Sequence, residues 1–471
     1  MGKEMSRRNF LGKASCAALG SVSLLSGLFN LQTSALLASN AHRMSLRPTG
    51  DYKALVCILL AGGNDSFNML VPTADQAYQD YRTTRSNLAL DKASVLPITP
   101  NIAVDGTFGL HPSMPEVQQL FQQGDLTFLS NVGTLVEQVS NRQQFLTGAA
   151  KLPVGLFSHA DQIQQWQTSI PQTRSARGWG GRLADLLNAA NSSQDISMNI
   201  SLSGNNVFQA GNQVVEYAIS PFGTGSAGIN EYGDSDPYNQ IRTAAVKSLL
   251  EQQYQDIFKQ TYADITRNAQ SSHEKFSAAV GQVNLTTEFS ANYLSQSMQM
   301  IARTIAARES LGMSRQTFFV TYGGWDHHDE LLNNQAGMLS VVSKALGEFQ
   351  TAMKELAVED DVTTFTISDF ARTLTSNGNG TDHAWGGNTM IMGGAVKGGN
   401  LFGTYPSLAL NNDLDVGEGN GILIPTTSTD AYFAELALWL GVAPSDLSLV
   451  LPNIGTHFDP TSGSAPIGFL L

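Results

Sequence analysis

A short apolar run near residue 55 constrains the fold most strongly. Residues 54–60, ALVCILL, carry no strongly polar side chain and are followed by Ala61, a glycine pair and the sequence NDSFN. An uninterrupted apolar run that ends in glycines is typical of a central strand with helices on both faces, because a strand with one solvated face would alternate apolar and polar residues. The run therefore predicts the middle of a buried sheet.

Helical and strand-like segments alternate along the rest of the chain. A helix predicted at 111–124 has proline near its start and glycine at its end, and a strand is predicted at 125–133. Strands at 317–324 and 361–370 are separated by an amphipathic helix at 334–357. This alternation predicts an α/β fold, a doubly wound and largely parallel sheet sandwiched by helices.

The remaining segments complete the predicted domain. Further elements are predicted as helices at 158–167, 178–190 and 427–442 and as strands at 195–204 and within 386–403. Residues 203–237 are rich in Gly, Ser and Asn and predict a loop, which two long helical stretches follow at about 239–283 and 288–311. We expect one domain over residues 50–471 with a helical insertion at about 239–311.

Residues 1–41 predict an export signal. Arg7 and Arg8 stand in SRRNFLGK, a pattern typical of twin-arginine signals, and a weakly apolar run follows at about 14–29. That run is too short to predict a membrane span, and small residues suit cleavage near Ala41, the alternative being an uncleaved anchor. We expect the twin-arginine (Tat) export machinery to deliver the chain to the periplasm or beyond, with no stable membrane span after cleavage.

The net charge argues against nucleic-acid binding, and the cysteine content argues against an intramolecular disulfide. The formal net charge is −13, and an acidic surface opposes nucleic-acid binding. Of the two cysteines, Cys16 lies in the predicted signal. Only Cys57 would remain in the mature chain, so no intramolecular disulfide is expected.

Carboxylates and histidines follow three of the predicted strands. The candidate metal ligands are Asp65, Asp326, His328, Asp369 and His383. Because the carboxyl ends of parallel strands meet at one edge of a sheet, where ligands bind in such folds, we expect these side chains to converge. Carboxylate oxygen and imidazole nitrogen together suit a divalent metal such as Zn or Mn, whereas Ca prefers oxygen almost alone.

Each candidate ligand also has a structural interpretation. Asp65 suits a glycine turn, Asp326 suits a helix N-cap, and Asp369 suits a turn. His327 and His328 are adjacent, so we expect only one of them to face the site.

The candidate nucleophile is Ser158, which precedes a predicted helix whose free N–H groups would favour an anion. Its alternative is an N-cap serine with Asp161 three residues on, and Ser66 is a rival nucleophile. Arg372 could hold ester oxygens or pair with an acid.

Seven segments together resemble a known family. They are LLAGGNDSFNMLVP, GLHPSMPEVQQLFQQGDLTFLSNVG, SHADQ, GWGGRLAD, GGWDHHDE, SDFARTLTSNGNGTDHAWGG and GGAVKGGNLFG. In order and spacing, over about residues 50–445, the chain resembles the exported bacterial proteins called domain-of-unknown-function family 1501. That family is grouped with the alkaline phosphatase and sulfatase superfamily.

The resemblance implies an alkaline phosphatase-like fold that hydrolyses phosphate or sulfate esters at a site with one or two metal ions. It implies these roles: first-strand metal ligand for Asp65, nucleophile for Ser158, acid–histidine pair of one metal for Asp326 and His328, acid on the other metal for Asp369, and late histidine ligand for His383. Two departures stand out. Phe370 occupies a position that is commonly histidine in the superfamily, and the family more often has Glu where Asp369 stands.

We therefore expect an exported metal-dependent hydrolase of phosphate or sulfate esters, acting through a metal-activated serine or water on a small anionic ester or glycan. The alternative is a non-catalytic exported metal- or anion-binding module, or a partner subunit that keeps the fold and docks through the helices at about 239–311.

Overall fold

The computed structural model describes residues 52–471, and the predicted export signal lies outside them. The strands are β1 Lys53–Ala61, β2 Leu70–Pro72, β3 Leu96–Ile98, β4 Phe108–Leu110, β5 Leu126–Gly133, β6 Asn199–Ser201, β7 Tyr217–Ala218, β8 Arg315–Gly323, β9 Val362–Ser368, β10 Gly387–Met392, β11 Leu401–Gly403 and β12 Thr427–Ser428. The α-helices are α1 Ser66–Met69, α2 Asp75–Arg85, α3 Pro115–Gln123, α4 Arg142–Thr147, α5 His159–Thr168, α6 Trp179–Leu187, α7 Pro237–Glu251, α8 Ile257–Gly281, α9 Tyr293–Ala306, α10 Leu331–Glu355, α11 Thr429–Leu440, α12 Leu447–Val450 and α13 Ile454–His457.

Nine of these strands form one sheet in the order β11-β5-β10-β9-β1-β8-β6-β7, with β12 beside β5. β1 pairs in parallel with β8 on one side and with β9 on the other. β10 is the exception, because it runs antiparallel to both β5 and β9. The predicted α/β class with a largely parallel sheet is confirmed, with one reversed strand inside it.

The side chains of β1 divide the core into two layers. Val56 and Ile58 face a cluster built with α3, α9 and α10. Leu55, Cys57 and Leu59 face the opposite cluster, which includes residues of α6 and α11. Helices therefore cover both faces of the sheet, which is why β1 has no polar position along its middle.

The predicted long helix at about 239–283 is interrupted. α7 ends at Glu251 because Gln252 adopts an extended backbone, and α8 restarts at Ile257 after Asp256, whose carboxylate accepts a hydrogen bond from the N–H of Lys259. α9 buries Met298 and Ile301 in the main core. No helix among residues 52–471 combines the length and apolar character that a membrane crossing needs.

Residues 228–274 form a compact unit of their own, made of α7 and most of α8. Its surface exposes large apolar side chains, including Ile241, Leu249 and Phe258. A groove of about 890 Å³ in this unit is lined mainly by apolar residues. An exposed apolar surface of this kind in a folded protein commonly marks a contact site.

Replacing Trp179 tests the packing of the second core layer. Its fully buried indole stacks on Phe433 at a centroid distance of 4.6 Å and packs edge-on against Phe208. We expect Trp179→Ala to lower the free energy of unfolding by about 3–5 kcal/mol in urea titrations, because the indole leaves a cavity. The control Phe222→Ala removes a ring that is 59% exposed and should change stability by less than about 0.5 kcal/mol.

His111 gives the fold a pH dependence. Burial lowers the pKa of His111 to about 4. Between pH 6.5 and 4 the unfolded chain binds a proton that the folded chain does not, so stability falls as the pH falls through this window, by up to about 3 kcal/mol. His111→Gln should remove this component from the pH dependence of urea unfolding. Equal slopes in the two proteins would contradict the assignment.

Candidate metal centre

The parallel strands bring the chemistry-bearing residues to one edge of the sheet. Asp326 and His328 follow β8, Asp369 follows β9, and His383 lies in the segment that leads from β9 into β10. The turn after β1 must come very close to the chain after β8. A Cβ on Gly62 would lie 2.5 Å from the backbone nitrogen of Asp326, so this turn requires glycine.

Four side chains converge at this edge. The carboxylate of Asp326 lies 3.4 Å from Nε2 of His159, 3.0 Å from Nε2 of His328 and 3.5 Å from Nε2 of His383. The Nε2 atoms of His328 and His383 are 3.1 Å apart. Ligands bonded to zinc at 2.0–2.1 Å in a tetrahedron lie roughly 3.4 Å from one another, so each of these separations suits two ligands of one ion. Among the described residues, the donor atoms of His159, Asp326 and His383 all lie within 4.8 Å of one another, and His328 falls outside that group.

The other ring nitrogen of each histidine has its own acceptor. Nδ1 of His159 lies 2.7 Å from the carboxylate of Asp369, and Nδ1 of His328 lies 3.1 Å from that of Asp382. Nδ1 of His383 lies 2.8 Å from the carbonyl oxygen of Phe157, which can only accept. With Nδ1–H donating in each ring, every Nε2 keeps its lone pair for a metal, as is usual for metal-binding histidines.

Arg372 supplies the positive charge behind the site. Its fully buried guanidinium donates a hydrogen bond of 2.7 Å to Asp326 and further bonds to the carbonyl oxygens of Gly62 and Thr381. Burial raises the pKa of Asp326, but the hydrogen bond and charge of Arg372 and the neighbouring histidines outweigh it, and the pKa lies below its ordinary value. Asp326 is therefore an ionised carboxylate at neutral pH.

Burial has opposite effects on two neighbours of Asp326. It raises the pKa of Asp369 above its ordinary value despite hydrogen bonds from His159 and from the N–H of Gly62. It lowers the pKa of His383, although the bond to the Phe157 carbonyl partly compensates. His383 is consequently neutral at physiological pH, which is the form that binds metals.

The cluster is open to solvent on one side and packed against an aromatic ring on the other. The side chains of Asp326 and His328 are each 44% exposed. Beneath them the buried ring of Phe370 packs against the imidazoles of His159 and His383, with centroids 4.8 and 4.7 Å apart. Phe370 therefore supports two of the three histidines by packing. Residue 370 is also the position at which the superfamily commonly has a histidine.

Three of the five predicted ligands lie in this cluster, namely Asp326, His328 and His383. Asp369 lies behind this cluster, and its carboxylate contacts Nδ1 of His159. Asp65 lies elsewhere, fully buried in an ion pair with Arg85, and its Oδ1 has no hydrogen-bond partner among residues 52–471. These positions favour Asp369 as a residue that orients a ligand.

Two further residues from the sequence analysis, Ser158 and His327, also have defined places. Ser158 is the N-cap of α5, and it contributes a hydrogen bond to Asp161, whose pKa is lowered mainly by Arg174. The Ser158 hydroxyl accepts no hydrogen bond from the backbone N–H groups of α5, so it does not act as the predicted side-chain cap. His327 is buried beside Trp325, and only His328 lies in the cluster, as expected for adjacent side chains.

Sequence reasoning missed His159. With Asp326 and His383 it forms the group of potential metal ligands whose donor atoms lie within 4.8 Å of one another in the described part of the chain. His159 begins α5 directly after Ser158, in the segment SHADQ. A histidine in the first turn of a helix that begins at the functional edge was the available signal.

Comparison with solved structures finds remote likenesses. Ps i-CgsB in complex with k-i-k-neocarrahexaose is 11% identical, with 87% of this chain and 78% of that chain covered and a TM-score of 0.35. The PsFucS1 sulfatase from Pseudoalteromonas sp. is 10% identical over 89% and 72% of the two chains, with a TM-score of 0.33. The lipoteichoic acid synthase LtaP from Listeria monocytogenes is 8% identical over 78% and 72%, with a TM-score of 0.27. At these values the likenesses assign no activity.

No curated protein matches the chain. A family model does match, over residues 52–418, which is most of the sequence. The resemblance seen in the sequence is thereby confirmed, and the chain belongs to the family described as Protein of unknown function (DUF1501).

Proposed function

We propose that this protein is an exported metal-dependent hydrolase of phosphate or sulfate esters, with one divalent ion held by His159, Asp326, His328 and His383. The observation that carries the proposal is the direction of the three imidazoles. Each ring has its Nδ1 at an acceptor and its Nε2 close to the carboxylate of Asp326. Three nitrogens and one oxygen suit Zn or Mn. When bound, such an ion supplies Lewis acidity that polarises an ester oxygen and activates a nucleophile.

Arg372 acts on the ligand set in this proposal. Its guanidinium is fully buried and already bonds to Asp326, Gly62 and Thr381. An arginine that binds ester oxygens needs free donors facing the solvent. Arg372 instead keeps Asp326 ionised and fixes its orientation.

The nucleophile is Ser158 or a water molecule. Ser158 stands next to His159 at the start of α5, where free backbone N–H groups favour a developing negative charge. Its side chain bonds to Asp161 and makes no capping hydrogen bond to the backbone of α5. The substrate class that fits is a small anionic ester or a sulfated or phosphorylated glycan, met in the periplasm or outside the cell after twin-arginine export.

A non-catalytic metal-binding module is the second candidate. Four protein ligands can fill the coordination sphere of zinc, and filled tetrahedral sites are usually structural. The side-chain exposure of Asp326 and His328 favours the hydrolase, because a structural ion is commonly enclosed. Turnover separates the two candidates.

Metal content is the first test. Purified protein that has been dialysed and then loaded with Zn or Mn should retain about one ion per chain. Elemental mass spectrometry measures this metal content. Asp326→Ala and His159→Ala should each weaken the affinity by roughly 100-fold, because removing a ligand is at least as costly as removing its orienting partner. His273→Ala, on α8, is the control and should leave the metal affinity unchanged. A wild-type protein that retains no divalent ion would contradict the metal centre.

Turnover is the second test. Metal-loaded protein should hydrolyse an aryl phosphate or an aryl sulfate, and Asp326→Ala should remove that activity. Loss in Ser158→Ala by roughly 1,000-fold or more would identify a serine nucleophile, whereas unchanged activity would identify water. Stoichiometric metal without turnover on either ester would instead favour the non-catalytic module.

A further inference from the structure

Phe157 has an unusual backbone conformation for its residue type. Its φ is +71°, in the left-handed region that bulky side chains rarely adopt. It lies in a turn closed by the hydrogen bond from the N–H of Ser158 to the carbonyl of Gly155, at 3.0 Å. A costly backbone conformation persists only where the surroundings hold it in place.

This turn contacts or positions two histidines of the cluster. His159, the second residue after Phe157, brings its Nε2 to 3.4 Å from Asp326. The carbonyl of Phe157 itself accepts the hydrogen bond from Nδ1 of His383. The conformation of one residue therefore sets the position of one histidine and the orientation of another.

Gln162 holds the turn from inside. Its side chain is fully buried on α5, and its Oε1 accepts a hydrogen bond of 2.5 Å from the N–H of Phe157. The peptide on the other side of Phe157 is fixed by the bond between Ser158 and Gly155. With both flanking peptides tied, Phe157 has little freedom to rotate its carbonyl away from His383.

We propose that Gln162 is a positioning residue of the metal centre, which acts through the Phe157 carbonyl to fix the tautomer and orientation of His383. This inference rests on the proposed metal site. Its competitor is a purely structural role in which Gln162 stabilises the start of α5 and leaves the affinity for metal unchanged.

The test compares metal affinity with stability. Gln162→Met keeps a similar volume but removes the acceptor, so the zinc dissociation constant, measured by chelator competition, should rise roughly 10-fold to 100-fold. Gln162→Glu keeps an acceptor oxygen and should return the dissociation constant to within roughly threefold of wild type. The Nε2 of Gln162 has no hydrogen-bond partner among the described residues, so this exchange removes no bond that the structure contains.

Gln167→Met is the matched control. Gln167 is another buried glutamine of α5, and its Oε1 accepts from the N–H of Phe208, away from the turn. Its loss should lower the midpoint of metal-free unfolding in urea, as Gln162→Met does, but leave zinc affinity unchanged. Should Gln162→Met fail to fold, Gln162→Asn withdraws the acceptor by one methylene and takes its place.

The outcomes separate the inference from the function on which it rests. Zinc binding by wild type that weakens in Gln162→Met, or in Gln162→Asn where that variant replaces it, and recovers in Gln162→Glu supports the positioning role. Unchanged affinity in the variant that removes the acceptor, weakening without recovery in Gln162→Glu, or equal weakening in Gln167→Met would overturn it. Absence of zinc binding by wild type would instead refute the metal centre itself.

Discussion

Parallel pairing of β1 with β8 and β9 is the constraint on which the rest of this structure depends. Because the three strands run side by side in one direction, their carboxyl ends stop at the same edge. The turn at Gly62 lets the chain after β8 pass close to that edge. A side chain at Gly62 would push Asp326 away from the three histidines, so the backbone spacing there controls the distances within the site.

The site is held by a chain of directed hydrogen bonds. Arg372 fixes Asp326, Asp369 fixes His159, Asp382 fixes His328, and the Phe157 carbonyl fixes His383. Each of these partners orients the side chain that it contacts, so an ion bound as proposed would cost these side chains little conformational freedom. The ring of Phe370 adds support of a different kind, because it holds two of the imidazoles by packing alone.

Much of the fold could be predicted from sequence because burial leaves a pattern of apolar residues along the chain. The run at 54–60 required a central strand, and the acids and histidines that follow strands pointed to Asp326, His328 and His383. Asp65 shows the limit of that reasoning, since its pairing with Arg85 joins a turn to the end of a helix and leaves no pattern in the sequence. His159 and the left-handed conformation of Phe157 depend on tertiary contacts, which local residue preferences do not record.

The reversed strand β10 has a consequence for how the site is connected along the chain. A parallel neighbour of β9 would need a crossover that carries the chain to the opposite edge of the sheet. An antiparallel neighbour begins at the edge where β9 ends, so residues 369–386 never leave it. That segment holds Arg372, Asp382 and His383. One connection between neighbouring strands therefore supplies three side chains of the site, because the reversal of β10 keeps the whole connection at the edge where Asp326 lies.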